Sequence, residues 1–391
     1  MSNQINSIIS NFYQNPLSIT KNNINLLKSI ILTLDNANTS WMNDYNNLSI
    51  KRINDFQYNN LLPKFVIDEI KLNKHNTYSI SFNLLNHSFN INFILFQNQN
   101  FIKIKIFKMI KHIYKILYLL ITLKKNNCSL KSNINIYLHD SKKIFPKNKK
   151  NELTSVNVNS AYTWSCNKNY KYNEINIYRE EEWFKVLIHE CFHMFGLDFS
   201  YIPNLNMYNN LLVKHFNINI DFKVYEAYCE TWAIILNSLY ISYDNSYKVK
   251  SINNWTINIL KKFLGIIKQE QYFSLFQTCK ILKYSDIVLT NTNNIINYKE
   301  TTPIFSYFII KSILLFNINS FLEWCSINNT NNIVFNNRNI NSFYQLIPSL
   351  HNNNKLFHTA INRINHFLYK QNNYNDYNFN NLRLSLNEIR I

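Results

Sequence analysis

Two glycines in 391 residues, Gly196 and Gly265, exclude whole classes of fold and site. Phosphate-cradling loops such as GxGxxG and the P-loop need several glycines close together, so no such nucleotide site exists here. Asparagine is abundant along the whole chain, in elements as well as loops, and the N-terminal helices read as joined by Asn-rich turns. Asn, Lys, Ile, Tyr and Phe share AT-rich codons, whereas Gly, Ala, Pro and Arg need GC-rich ones. An AT-biased genome accounts for the composition, and a glycine retained against that bias marks a backbone requirement.

Hydrophobic residues make up 46% and aromatics 15%, which is enough to bury a large core in one or two domains and excludes a disordered chain. The net charge is +18. Its lysines are dispersed, and the densest run (Lys142, Lys143, Lys147, Lys149, Lys150) reads as a solvated loop. A basic surface of this kind supports weak electrostatic binding of nucleic acid as a second partner class. The six cysteines lack CxxC spacing, and no charged-then-apolar leader opens the sequence. An intracellular, reduced protein is therefore expected. The apolar stretch 101–123 carries five lysines, which favours an amphipathic buried helix over a membrane span.

Residues 1–75 read as helices in an N-terminal region. Residues 78–84 and 89–96 alternate around Asn86-His87 as a hairpin, followed by the lysine-striped helix. Strands are expected at 134–138, 155–163 and 174–178. The last of these leads into a helix at 180–195 that begins with Glu180, Glu181 and Glu182 and ends at Gly196. A second strong helix spans 222–240, with Asp221 as its N-cap. Residues 76–240 thus form an α+β core. Helices at 255–268, 271–282, 305–316 and 355–369 make a helical subdomain over 241–370, and 371–391 is a loose tail.

The expected helix holds His189-Glu190-Cys191-Phe192-His193-Met194-Phe195-Gly196, an HExxHxxG pattern. Residues four apart on a helix share a face, so both imidazoles reach one tetrahedral Zn²⁺, one ion per chain. Glu190, about 100° round the axis from His189, is placed to take a proton from a water that the metal activates. Cys191 is about 200° away and belongs to the core.

A third ligand is required. The position three beyond the glycine is Phe199, and Asp198 falls one residue short of the metzincin spacing. Asp198 either orients His193 or caps a turn. Glu226 and Glu230 share one face of an otherwise apolar helix, where two acids need partners.

HExxH followed 33 residues later by Glu226-x-x-x-Glu230-x-x-Ala233 resembles the gluzincin branch of the zincin metallopeptidases. The segments Asn157…Thr163, Arg179-Glu180-Glu181-Glu182-Trp183 and the HExxH region are also similar to uncharacterised metallopeptidases encoded by large DNA viruses. The resemblance covers about 155–240. It implies a zincin-like fold and zinc-dependent hydrolysis of a polypeptide, with His189, His193 and Glu226 as ligands and Glu190 as general base. Glu230 would orient a histidine, although Asp is commoner at that position. By the same analogy, the strand containing Ser160, Ala161 and Tyr162 pairs with an extended substrate. Tyr307 and His215 are candidate transition-state donors. The alternatives are a zincin-fold scaffold without catalysis, or a nucleic-acid-associated protein using its basic surface.

Overall fold

A hairpin with a two-residue turn at Leu85-Asn86 organises the sheet, with Leu85 in left-handed backbone (φ 52°) where glycine would be usual. The computed structural model describes residues 2–13, 17–72, 75–96, 102–124, 127–148, 151–166, 172–246, 251–287, 298–370 and 376–389. The strands are β1 (Lys51–Ile53), β2 (Asn76–Leu84), β3 (His87–Leu95), β4 (Lys131–His139), β5 (Ala161–Thr163) and β6 (Tyr172–Arg179). The first helices are α1 (Ser2–Ser10), α2 (Lys21–Asp44), α3 (Lys64–Leu72), α4 (Ile102–Leu123), α5 (Ser155–Val158), α6 (Trp183–Phe195) and α7 (Asn209–Phe216). Then follow α8 (Val224–Asp244), α9 (Ile252–Tyr284), α10 (Lys311–Phe316, after a π-turn at Phe305–Ile310) and α11 (Ile318–Asn328). The last are α12 (Ile340–Asn353), α13 (Lys355–Lys370) and α14 (Tyr377–Asn380). The α+β class follows directly from this order, with a mostly helical C-terminal half.

Two compact units divide the chain. One comprises Lys28–Lys142, Asn159–Tyr201 and Glu388–Ile391. The other comprises Met1–Leu27, Lys143–Val158 and Ile202–Asn387. The first contains the six-stranded sheet in the order β1-β2-β3-β4-β6-β5. β3, β4 and β6 run parallel, and β1, β2 and β5 pair antiparallel with their neighbours.

Register aligns Ile91 with Ile134 and Ile134 with Ile175, so one face of the sheet is apolar. Helices α4 and α6 cover it, where Tyr114 meets Phe82 and Phe195 meets Phe89. On the opposite face, Val66 and Ile70 of α3 pack with Ile94, Tyr137 and Tyr178. Beside them, asparagines bridge the strands: Asn92 donates to Asn135 (2.8 Å) and Asn135 to Asn176 (3.0 Å), while Asn176 donates to Glu174 within β6 (2.5 Å). Asn92 and Asn135 each donate to the next strand and Asn176 to a carboxylate on its own strand, so the cross-strand amides help fix the register.

Several expectations change. Residues 155–163 are not one strand. Asn157 Oδ1 accepts from the Thr154 amide and closes the short α5, leaving β5 only at Ala161–Thr163. Glu180, Glu181 and Glu182 precede α6 rather than forming its first turn, because Glu182 is left-handed (φ 61°). The cap position of α8 is Lys223, and Asp221 instead accepts from Asn209 Nδ2 at 2.7 Å. α9 runs unbroken for 33 residues through Gly265. Within the lysine run Lys143 is buried, while Lys149 and Lys150 lie outside the described residues.

The C-terminal residues 376–389 are packed rather than loose. Leu382, Leu384 and Leu386 are buried, and Glu270 accepts from the Leu386 and Asn387 amides. Cys128 and Cys166 form a disulfide (Cα–Cα 5.7 Å), which overturns the expectation of six reduced cysteines. Among the described residues no single helix is long and apolar enough to cross a membrane.

Candidate metal centre

Every residue of α6 is buried, from Trp183 to Phe195. β6 delivers the chain to this helix through Glu180, whose amide donates to the His139 carbonyl at 2.9 Å. At the far end Gly196 adopts φ 61°, as expected from its retention. Its amide donates to the His193 carbonyl (3.1 Å) and that of Leu197 to Phe192 (2.9 Å), the paired bonds of a Schellman ending. An L side chain at position 196 would strain this backbone.

His189 and His193 project one turn apart, and their Nε2 atoms lie 3.2 Å from each other. The turn at Gly196 carries Asp198 back beneath the helix. There its Oδ2 lies 2.7 Å from His193 Nδ1 and also accepts from the Ser200 amide at 3.2 Å. Asp198 is fully buried. A carboxylate acceptor places the imidazole proton on Nδ1 and leaves the Nε2 lone pair facing His189. Both sequence readings for Asp198 have geometry behind them: Oδ2 faces His193 Nδ1 and also caps the turn at the Ser200 amide.

Two nitrogens each about 2.0–2.1 Å from a tetrahedral zinc stand roughly 3.3 Å apart, so this pair fits such an ion. The described residues include groups of His, Cys, Asp and Glu side chains able to hold a metal, with His189 and His193 among them. Glu190, between the two histidines in sequence, is buried. It helps burial push the neighbouring Cys191 thiol well up, so Cys191 is an inert core thiol.

The remaining candidates are distributed as follows. Ser160, Ala161 and Tyr162 lie at and beside β5, one of the two edge strands; Ala161 pairs with Ile177, and the Ser160 carbonyl accepts from the Tyr178 amide (2.9 Å). Glu226 and Glu230 lie one turn apart on α8 in the helical unit, Glu226 half-buried and Glu230 1% exposed. Tyr307 lies on the π-turn of that unit. His215 Nε2 lies 3.0 Å from His351 Nδ1, so in this structure it serves a histidine pair. Sequence reasoning missed the supports of α6, namely Ser129, Ser165 and the bonded Cys128 and Cys166. No local spacing announces them.

The chain matches no known protein family and no solved structure. Over 181 residues it is 29% identical to an uncharacterized protein of Acanthamoeba polyphaga mimivirus. That stretch is 44% of this chain and 43% of the relative, so the match spans less than half of the relative's length.

Proposed function

We propose that the chain is a zinc-dependent peptidase. The observation that carries this reading is the convergence of His189 and His193 Nε2 at 3.2 Å on a buried helix, with Asp198 holding the far side of His193. A bound zinc ion supplies Lewis acidity, acidifying water and polarising a scissile carbonyl. Glu190 accepts the proton of the attacking water and returns it to the departing amine. Asp198 keeps the tautomer of His193 fixed throughout.

The third ligand in this reading is Glu226, with Glu230 orienting a histidine. Their ExxxE spacing and the resemblance to gluzincins support that assignment. The edge strand β5 offers backbone groups to an extended polypeptide, which suits a peptide substrate.

A pooled peptide library incubated with the zinc-loaded protein tests the proposal. Cleavage should stop with a chelator, return with zinc and be lost in Glu190→Gln. Stoichiometric zinc without cleavage in any pool would leave a metal-holding scaffold in place of an enzyme.

A further inference from the structure

The Cys128–Cys166 disulfide does not lie at random in the sheet-containing unit; both of its flanks grip the last turn of α6. The Cys166 amide donates to the His193 carbonyl at 2.9 Å. Ser129, next to Cys128, donates its hydroxyl to the Met194 carbonyl at 2.7 Å in a buried contact. Lys124 donates to the Cys128 carbonyl and lies 5.0 Å over the Phe195 ring. Ser165, preceding Cys166, meets Ser200 hydroxyl to hydroxyl at 2.8 Å, and the Ser200 amide donates to Asp198. One covalent bond therefore joins two segments, 38 residues apart, that brace His193 and the turn carrying Asp198.

Helix ends leave carbonyls in need of donors; Gly196 and Leu197 serve those of His193 and Phe192, and the two bonded segments add a second donor to His193 and one to Met194. Both segments are loops, so without the bond each donor is held only by its own weak contacts. Long-range cross-links of this kind restrict the chain that they join.

We propose that Cys128–Cys166 is a redox site that sets the metal affinity of the His189–His193 centre. Closed, it holds His193 and Asp198 in register; opened, it releases the clamp and loosens the ion. Opening needs a two-electron reductant, which in a cell is a dithiol and in vitro a phosphine that becomes its oxide with oxygen from water. The dithiol is oxidised to its own disulfide, the Cys128–Cys166 S–S bond breaks, and each sulfur receives one electron and one proton. A reducing compartment then yields the weakly binding form and an oxidising one the tightly binding form. The inference rests on the zinc reading above.

The test uses the full chain, in oxidised form, after treatment with tris(2-carboxyethyl)phosphine, and as Cys128→Ser/Cys166→Ser. Thiol counting under denaturation, zinc competition against a chromogenic chelator and amide hydrogen exchange are measured on each. The oxidised protein should show four thiols, those of Cys191, Cys229, Cys279 and Cys325, and the reduced protein six. Reduction and the double variant should both weaken zinc binding by roughly 10–100-fold, the size of losing an outer-sphere support. Exchange at residues 193–200 should rise in parallel. Should the double variant fail to fold, the reduced wild type still gives the comparison.

Equal zinc affinity with the bond closed and open overturns the inference and leaves the metal reading standing. Six thiols in protein purified without reductant and exposed to air also overturn it. Absence of zinc from the oxidised wild type defeats the metal reading, and the inference with it.

Discussion

Asp198 Oδ2 lies 2.7 Å from Nδ1 of His193, and that contact decides what the opposite nitrogen of the ring can do. With Nδ1 donating to a buried carboxylate, Nε2 is left as a lone pair beside His189 Nε2. Asp198→Asn preserves shape but removes the charge that holds this tautomer. Zinc affinity should drop by roughly 10–100-fold in a chelator competition. Unchanged affinity would assign Asp198 to the turn alone.

Metal content follows from the histidine pair itself. Elemental analysis should find about one zinc per wild-type chain and little in His189→Ala or His193→Ala, because each removes one of few ligands. Equal zinc in all three proteins would end the assignment of this centre.

Glu190→Gln keeps the side-chain shape and loses the proton acceptor. Zinc should remain while peptide turnover falls by roughly 10²–10⁴. Wild-type turnover in this variant would place the base elsewhere.

The two acids of α8 should behave differently. Glu226→Ala, deleting a proposed ligand, should emerge metal-free from mild dialysis. Glu230→Ala should retain zinc until a chelator competes. The reverse ranking would exchange their roles. No effect from either would move the third ligand away from α8.

A separate prediction concerns acid stability. His351 is 7% exposed, and burial, with His215 and His358 beside it, pushes its pKa down from 6.5 to about 3. A depressed histidine pKa means that the fold keeps the ring neutral while the unfolded chain takes up a proton. Its contribution is complete above about pH 6.5 and is lost as pH falls toward 3. His351→Gln should flatten the decline of urea midpoints across that window relative to wild type. Parallel slopes in the two proteins would remove His351 from the acid limb.

Several features are legible in local sequence because they depend on periodicity or on a single backbone requirement. The i,i+4 spacing of His189 and His193 puts both rings on one face whatever surrounds the helix. Gly196 ends α6 because only a residue at ease with positive φ closes a Schellman turn cheaply. The β2–β3 hairpin likewise follows from alternation, and the short strands expected at 134–138 and 174–178 fall within β4 and β6.

Tertiary structure decided the rest. That one oxygen of Asp198 both faces His193 and caps the turn at Ser200 depended on where the chain went after Gly196, which spacing alone left undetermined. Cys128 finds Cys166 across 38 residues only because β4 and the segment after β5 are brought to the same helix end. The asparagines of β3, β4 and β6 look like compositional noise until register aligns Asn92, Asn135 and Asn176 into one bonded chain. The C-terminal segment buries Leu382, Leu384 and Leu386, and Glu270, far away in sequence, satisfies the Leu386 and Asn387 amides there. Local preferences are written within a few residues. Long-range pairing is selected by burial and hydrogen-bond satisfaction summed over the whole fold, and no short window of sequence contains that sum.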